Sequence, residues 1–337
     1  MELVHDYGDW PAEYRALREN AGVLDLGARS RLCVLGADRS RFLHGQVTND
    51  VKKLQPGDGC YAAITTAKGK MEADMNIFCL AEELLLDLEP GLAEKITRRL
   101  EKFIVADDVQ VVDAAAHYGL LSVQGPKAEI VVQALGLFGT LPAKQLASVT
   151  ISNPEMGELY LARNSRLGGP GYDLFVPNQA IETLAGRLVA AAGRMGGRLC
   201  GSRAFETVRI ESGIPRFGAD MDENSIPLEC GIEARAISYT KGCYIGQEVI
   251  NRIHSVGHVN RKLRSLRIAG ELPKLPRHGD KLFHAGKEAG FITSAANSPA
   301  MGNVALGFVR REAIQAGAEL TLKTAQGEWA VKTGPLC

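Results

Sequence analysis

From His258 onward the pattern of apolar residues changes to short runs separated by turns, among them Leu263 to Ile268, Lys281 to Phe283, Gly290 to Thr293, Asn303 to Val309 and Glu319 to Leu322. That spacing predicts a small β-barrel, because each run is too short for a helix and long enough for a strand. A boundary therefore falls near residue 258, dividing the 337-residue chain into a region 1–257 and a barrel domain 258–337. A chain of this length exceeds one ordinary core. Region 1–257 mixes strand and helix signals. Strands are expected at Ser30 to Gly36, at Cys60 to Leu88, at Val109 to Val112, at Tyr118 to Val123, and at Leu159 to Asn164 and Tyr172 to Val176. Helices are expected after Asp38, from Pro90 to Lys102, from Lys127 to Leu135, after Asn178 and from Ser202 to Ile210. The segment near 136–155, rich in Gly, Pro, Ser and Thr, reads as a loop connecting two subdomains, and Lys68 to Asp74 reads as a charged hairpin tip. The fold class is α+β.

The most informative short stretch is Lys-Gly-Cys-Tyr-Ile-Gly-Gln-Glu, residues 241–248. Gly242 and Gly246 permit positive φ, so the backbone can turn on both sides of Cys243 and hold a thiol on a bend. The plainer alternative is that Cys243 and Tyr244 pack into a core. The octet resembles the signature of YgfZ-type folate-binding proteins, relatives of the glycine cleavage T-protein (aminomethyltransferase). Phe42 to Asp50, Leu24 to Leu26, and the Arg-x-Glu-x-Gly-x-Pro segment from Arg209 to Pro215 match further motifs of that superfamily in the same order. The resemblance covers nearly the whole chain. It implies mixed sheets and helices around a central cavity, tetrahydrofolate or a one-carbon derivative as the bound molecule, and a role supporting iron-sulfur enzymes or tRNA modification. The alternatives are a folate-dependent aminomethyltransferase and a non-catalytic binding module.

The same resemblance assigns candidate site residues. A pterin edge calls for a carboxylate accepting paired hydrogen bonds, and a glutamate tail calls for Arg or Lys. Asp173, with Tyr172 beside it, matches the stretch whose acidic residue holds the pterin; an ordinary strand-edge carboxylate is the competing account. Arg209 and Glu211 match the Arg-x-Glu segment, but they sit two positions apart and share a pocket only if the helix has opened by Glu211. A structural ion pair is the alternative for Arg209. Asp74 falls on the second acidic position of the T-protein's Gly-Gly-x-x-Asp-Asp segment, near the folate nitrogens, while Ala73 replaces the first. Its presence keeps transferase chemistry open; a solvated turn charge is the competing view. Lys241, Gly242, Cys243, Tyr244, Gly246, Gln247 and Glu248 form the motif, with Cys243 as a candidate functional thiol whose pKa a neighbouring Lys241 would lower.

Composition bounds the rest. Lys plus Arg and Asp plus Glu each number 39, so no overall field draws in RNA, although a local basic patch still could. Seven cysteines lack a Cys-x-x-Cys pair, so an iron-sulfur cluster would belong to partner proteins or their assembly machinery and not to this chain. His254 and His258 share i, i+4 spacing, but Gly257 interrupts any helix and no third ligand is near, so no metal site is expected. No membrane partner is expected, and the polar start of the chain points to a cytoplasmic protein.

Overall fold

The computed structural model describes residues 3–314 and 319–336; Cys337, one of the seven cysteines, lies outside them. The chain opens with α1 (Trp10–Glu19), β1 (Gly22–Asp25), β2 (Ser30–Leu35), α2 (Arg39–Gln46), β3 (Gly59–Thr65), β4 (Met71–Cys79), β5 (Leu84–Leu88), α3 (Ala93–Glu101) and β6 (Gln110–Asp113). It continues through β7 (Tyr118–Gln124), α4 (Ala128–Gln133), β8 (Ser148–Asn153), β9 (Gly157–Arg163), β10 (Gly171–Pro177), α5 (Ile181–Arg194), β11 (Arg198–Leu199) and α6 (Ser202–Glu211). After α7 (Glu233–Ala236) and α8 (Gln247–Val256) come β12 (Arg261–Ile268), β13 (Lys281–His284), β14 (Lys287–Ser298), β15 (Gly302–Arg310), β16 (Glu319–Thr324) and β17 (Gly327–Gly334).

These strands form three units. One sheet runs β11-β1-β7-β10-β9-β8, a second runs β3-β4-β5-β2-β6, and β12-β15-β14-β13-β16-β17 close into a barrel. The first two interleave, since β1 belongs to one sheet, β2 to β6 to the other, and β7 returns to the first. Each sheet covers an outer face with its own helices. Val123, Leu174 and Val176 pack with Leu184 and Leu188 of α5, while Leu32, Ile77 and Leu86 pack with Ile96 and Leu100 of α3. The inner faces meet through Phe78 and Phe175, whose rings cross edge-on at 5.4 Å.

Strand periodicity then aims the polar residues. Along β4, Met71, Ala73, Met75 and Ile77 are buried in cores while Glu72, Asp74 and Asn76 occupy the alternate face. Asp74 thus sits within a paired strand and not at the hairpin tip, which is confined to the turn around Gly69, at φ 70°. The segment read as a loop near 136–155 contains β8, whose pairing with β9 the turn-forming residues around it disguised. Asp38 precedes α2 and Asn178 is the first residue of a short 3-10 turn before α5, and neither side chain caps: Asp38 accepts from the Asp108 amide at 3.0 Å, and Asn178 donates to the Ala116 carbonyl at 2.9 Å.

Candidate functional site

Where the two sheets, α6 and α7 meet, they leave a cavity of about 720 Å³. One wall is a chain of alternating charges. Asp173 binds Arg166 at 2.6 Å, Arg166 reaches Asp87 at 2.7 Å, and Arg29 joins Asp87 at 2.6 Å to Glu89 at 2.5 Å. From Glu89 the chain passes to Arg216 at 2.7 Å, then Glu206, then Arg209 at 2.6 Å, and ends on Asp220 at 2.7 Å. The Thr293 hydroxyl donates to Asp220 at 2.6 Å, so the network ties both sheets to the barrel. Burial would raise the acids, but the arginines prevail: the Glu89 carboxyl falls to about 2 and that of Asp87 goes well below the usual range.

Against this saturated wall, Asp74 is different. Its Oδ2 accepts from the Tyr61 hydroxyl at 2.6 Å, whereas its Oδ1 is shielded from solvent without a hydrogen-bond partner. Burial, followed by the negative charge of Glu89, pushes the Asp74 carboxyl up to about 6, with the Tyr61 hydrogen bond and the charges of Arg29 and Arg235 pulling the other way. The Tyr61 phenol is raised well above its ordinary value by burial and by Asp74, so it remains a donor. At the rim the exposed Arg235 guanidinium lies 4.5 Å from the centre of the Tyr61 ring. Asn49 fixes this corner, donating to the Tyr61 and Arg235 carbonyls, each at 2.9 Å. The arrangement offers an unpartnered carboxylate oxygen inside and a cation with spare donors at the mouth.

The other residues read as site candidates lie elsewhere or are already committed. Asp173 is fully buried, and both its oxygens are taken by Arg166 and by the Asn164 amide at 2.7 Å, so it stands one residue behind the cavity. Tyr172, its neighbour, points to the opposite face of β10 and packs in the α4–α5 core, its hydroxyl 3.4 Å from Glu129. Arg209 lines the cavity, yet its five N–H donors meet five acceptors: Glu206 twice, Asp220, the Ile214 carbonyl and Ser294. It has no donor left for a ligand carboxylate. The helix does not open before Glu211, and that side chain turns away to accept from the Tyr14 hydroxyl at 2.8 Å.

The 241–248 octet is a clamp behind the Asp74-bearing hairpin. Lys241 does not approach the thiol as a charge partner; its ammonium is buried and donates to the carbonyls of His44, Val47 at 2.6 Å and Asn49 at 2.9 Å, with burial lowering it to about 8. Only Gly246 is left-handed, at φ 92°; a Cβ there would come within 2.5 Å of the Thr66 carbonyl and 2.6 Å of the Thr65 hydroxyl. Gly242 lies outside that region of backbone space, so the bend is sharp on one side only. Tyr244 is buried against the hairpin core, whereas Cys243 is exposed and does not line the cavity. Gln247 and Glu248 open α8, Glu248 facing solvent. Among the described residues, no three His, Cys, Asp or Glu converge in a metal-holding cluster, and no helix is long and apolar enough to cross a membrane.

Tyr61, Arg235, Glu89 and Arg29 are the site residues that sequence reasoning missed. Tyr61 stands opposite Asn76 in the β3–β4 ladder, beside the pair Ala63 and Asp74, so strand register alone pointed to it.

Two interleaved sheets and a closed six-stranded barrel define an α+β protein, with a cavity between the sheets that holds one carboxylate oxygen without a partner. Residues 2–241 match the GCVT N-terminal domain and residues 261–334 the glycine cleavage T-protein C-terminal barrel domain, so the chain belongs to the glycine cleavage T-protein superfamily. It is 30% identical over 330 residues to the aminomethyltransferase of Geobacillus thermodenitrificans, covering 95% of this chain and 87% of that protein. The aminomethyltransferase of Rubrobacter xylanophilus is 28% identical over 312 residues, covering 92% and 82% of the two chains. The crystal structure of glycine cleavage system aminomethyltransferase T from Bartonella henselae shares the fold, with a TM-score of 0.85 at 22% identity over 96% of this chain and 88% of that one.

Proposed function

We propose that the protein is a tetrahydrofolate-dependent aminomethyltransferase of the glycine cleavage T-protein type. The observation that carries this reading is the unpartnered Oδ1 of Asp74 inside the cavity, and near full-length similarity to proteins named aminomethyltransferase supports it. Bound tetrahydrofolate would supply the nitrogens that accept a one-carbon unit. Asp74 would accept a ligand N–H at Oδ1 and, with its carboxyl near 6, take or return a proton close to neutral pH. Tyr61 orients that carboxylate through its hydrogen bond, and Arg235 would pair with the carboxylates of the tail. The ion-paired wall holds these groups in place and excludes water from one side. Region 1–257 would then bind the folate, with 258–337 packed against it as a barrel.

Purified protein mixed with tetrahydrofolate and an aminomethyl-lipoyl donor should release ammonia and form methylene-tetrahydrofolate. Binding of tetrahydrofolate without turnover would overturn the transferase reading and leave a folate-binding protein. One observation favours a second reading, the YgfZ-type role in maintaining iron-sulfur enzymes or in tRNA modification. Cys243 is exposed at the start of the α8 bend, while the other five described cysteines are buried or half-buried. Alkylation of Cys243 that abolishes rescue of a cluster-deficient strain, with folate affinity intact, would support that role; unchanged rescue by Cys243→Ala would remove it.

A further inference from the structure

A second polar region lies outside the Asp74 cavity, at the seam between α8 and the barrel. Two adjoining hollows of about 780 and 680 Å³ open there and share His258 and Arg311. Six cationic side chains line them, Lys70, Arg261, Lys262, Arg264, Arg310 and Arg311, against the carboxylates of Glu229, Glu233 and Glu312. The chain as a whole carries 39 basic and 39 acidic residues, so this is a local concentration of positive charge and not a general one.

The charge is available. Among the described residues, only Arg261 of these six forms an ion pair, with Glu229 at 3.2 Å, and the Lys70 ammonium also donates to the Asn224 carbonyl. Arg310 and Arg311 stand side by side where β15 passes into a short 3-10 turn, and the Arg311 amide donates to the Asn260 carbonyl at 2.8 Å, fixing the rim on which both guanidinium groups sit. A second observation points to an absent acceptor. The Nε of Arg264 is buried without a hydrogen-bond partner, and an unmatched buried donor is destabilising. Glu233 Oε2, in the same hollow, is likewise buried without a donor. A ligand that satisfies both carries oxyanions together with a hydrogen-bond donor.

We propose that this seam is a binding site for a small, multiply phosphorylated ligand, held by the forked donors of Arg264, Arg310 and Arg311 and the ammonium groups of Lys70 and Lys262. Guanidinium forks match phosphate oxygens two at a time, and hollows of several hundred Å³ suit a small molecule. Acidic peptides offer fewer charges per unit length than a phosphate chain.

The test is calorimetry of the full-length protein with inorganic tripolyphosphate at about 50 mM salt, repeated at about 200 mM, where phosphate contacts predict a loss of affinity of roughly tenfold. The double variant Arg310→Glu, Arg311→Glu should lose at least about tenfold in affinity while melting like the wild type, and Arg310→Gln, Arg311→Gln should fall between them. A short oligouridylate and a hexaglutamate peptide are run as competitors. Displacement by the oligonucleotide at lower concentration would assign the phosphates to a nucleic-acid strand, and failure to displace would assign them to a free small molecule; either keeps the phosphate site. Tripolyphosphate that does not bind at low salt, that binds wild type and both variants alike, or that yields to hexaglutamate would overturn it. No arm involves tetrahydrofolate, so this result is independent of the transferase reading.

Discussion

Two regions of one cavity use the same kinds of side chain to opposite ends. On the wall, Asp173, Asp87, Glu89, Glu206 and Asp220 each meet an arginine, and Arg209 spends all five donors within the protein. In the corner, Asp74 keeps an oxygen without a partner and Arg235 remains exposed at the rim. A charged residue whose hydrogen-bonding capacity is filled supports a site; one with capacity left over can bind. Matching a residue to a family motif does not separate the two conditions, because both depend on neighbours distant in the chain.

Removing members of each region should separate them. The largest effect is expected from Arg209→Ala, which leaves the buried Asp220 without its arginine and should cost about 3–5 kcal/mol in urea unfolding. The folded fraction should still bind tetrahydrofolate; loss of binding without loss of stability would mean that Arg209 contacts ligand after all. Next comes Asp74→Asn, expected to weaken tetrahydrofolate binding or turnover by about 100-fold, roughly 2.7 kcal/mol. The same variant should be more stable than wild type at pH 7. Because the Asp74 carboxyl is raised from 3.8 to about 6, its stabilising contribution is present below pH 3.8 and is lost as pH rises through about 6. A shift of that size corresponds to at most about 3 kcal/mol, and the variant should flatten this part of the stability profile. Wild-type folate affinity should run the other way, falling as pH drops below about 6 and the acceptor is protonated.

Arg235→Ala should weaken binding of the glutamate tail by about tenfold, with little change for a pterin lacking the tail. An equal loss for both ligands would place Arg235 on the pterin instead. The smallest effect is expected at Cys243→Ser, within about 0.5 kcal/mol of wild type in stability and without change in folate affinity, since the thiol is exposed and outside the cavity.

Much of the frame was legible in the residues. Short runs after His258 read as a barrel because turn residues and strand length are local properties, and β12 to β17 close one. Alternation along Met71 to Cys79 was equally local, although the Lys-Gly-Lys turn drew Asp74 toward the tip. Other features were hidden. Lys241 lies two residues from Cys243 in the chain, yet its ammonium is drawn to three carbonyls at the end of α2, which only the packed structure brings near. Asp173 and Tyr172 are adjacent, but strand geometry sends them to opposite faces, and no local pattern says which face meets a cavity.

The order of residues by itself determined most of the strands and helices, the closing barrel and the superfamily motifs, because backbone preference and periodicity act over a few positions. Tertiary structure alone decided which carboxylate stays open. Hydrogen-bond saturation is a count of neighbours in space, and the partners of Asp173, Arg209 and Asp74 are assembled from strands, helices and loops that meet only when the two sheets and the barrel pack together.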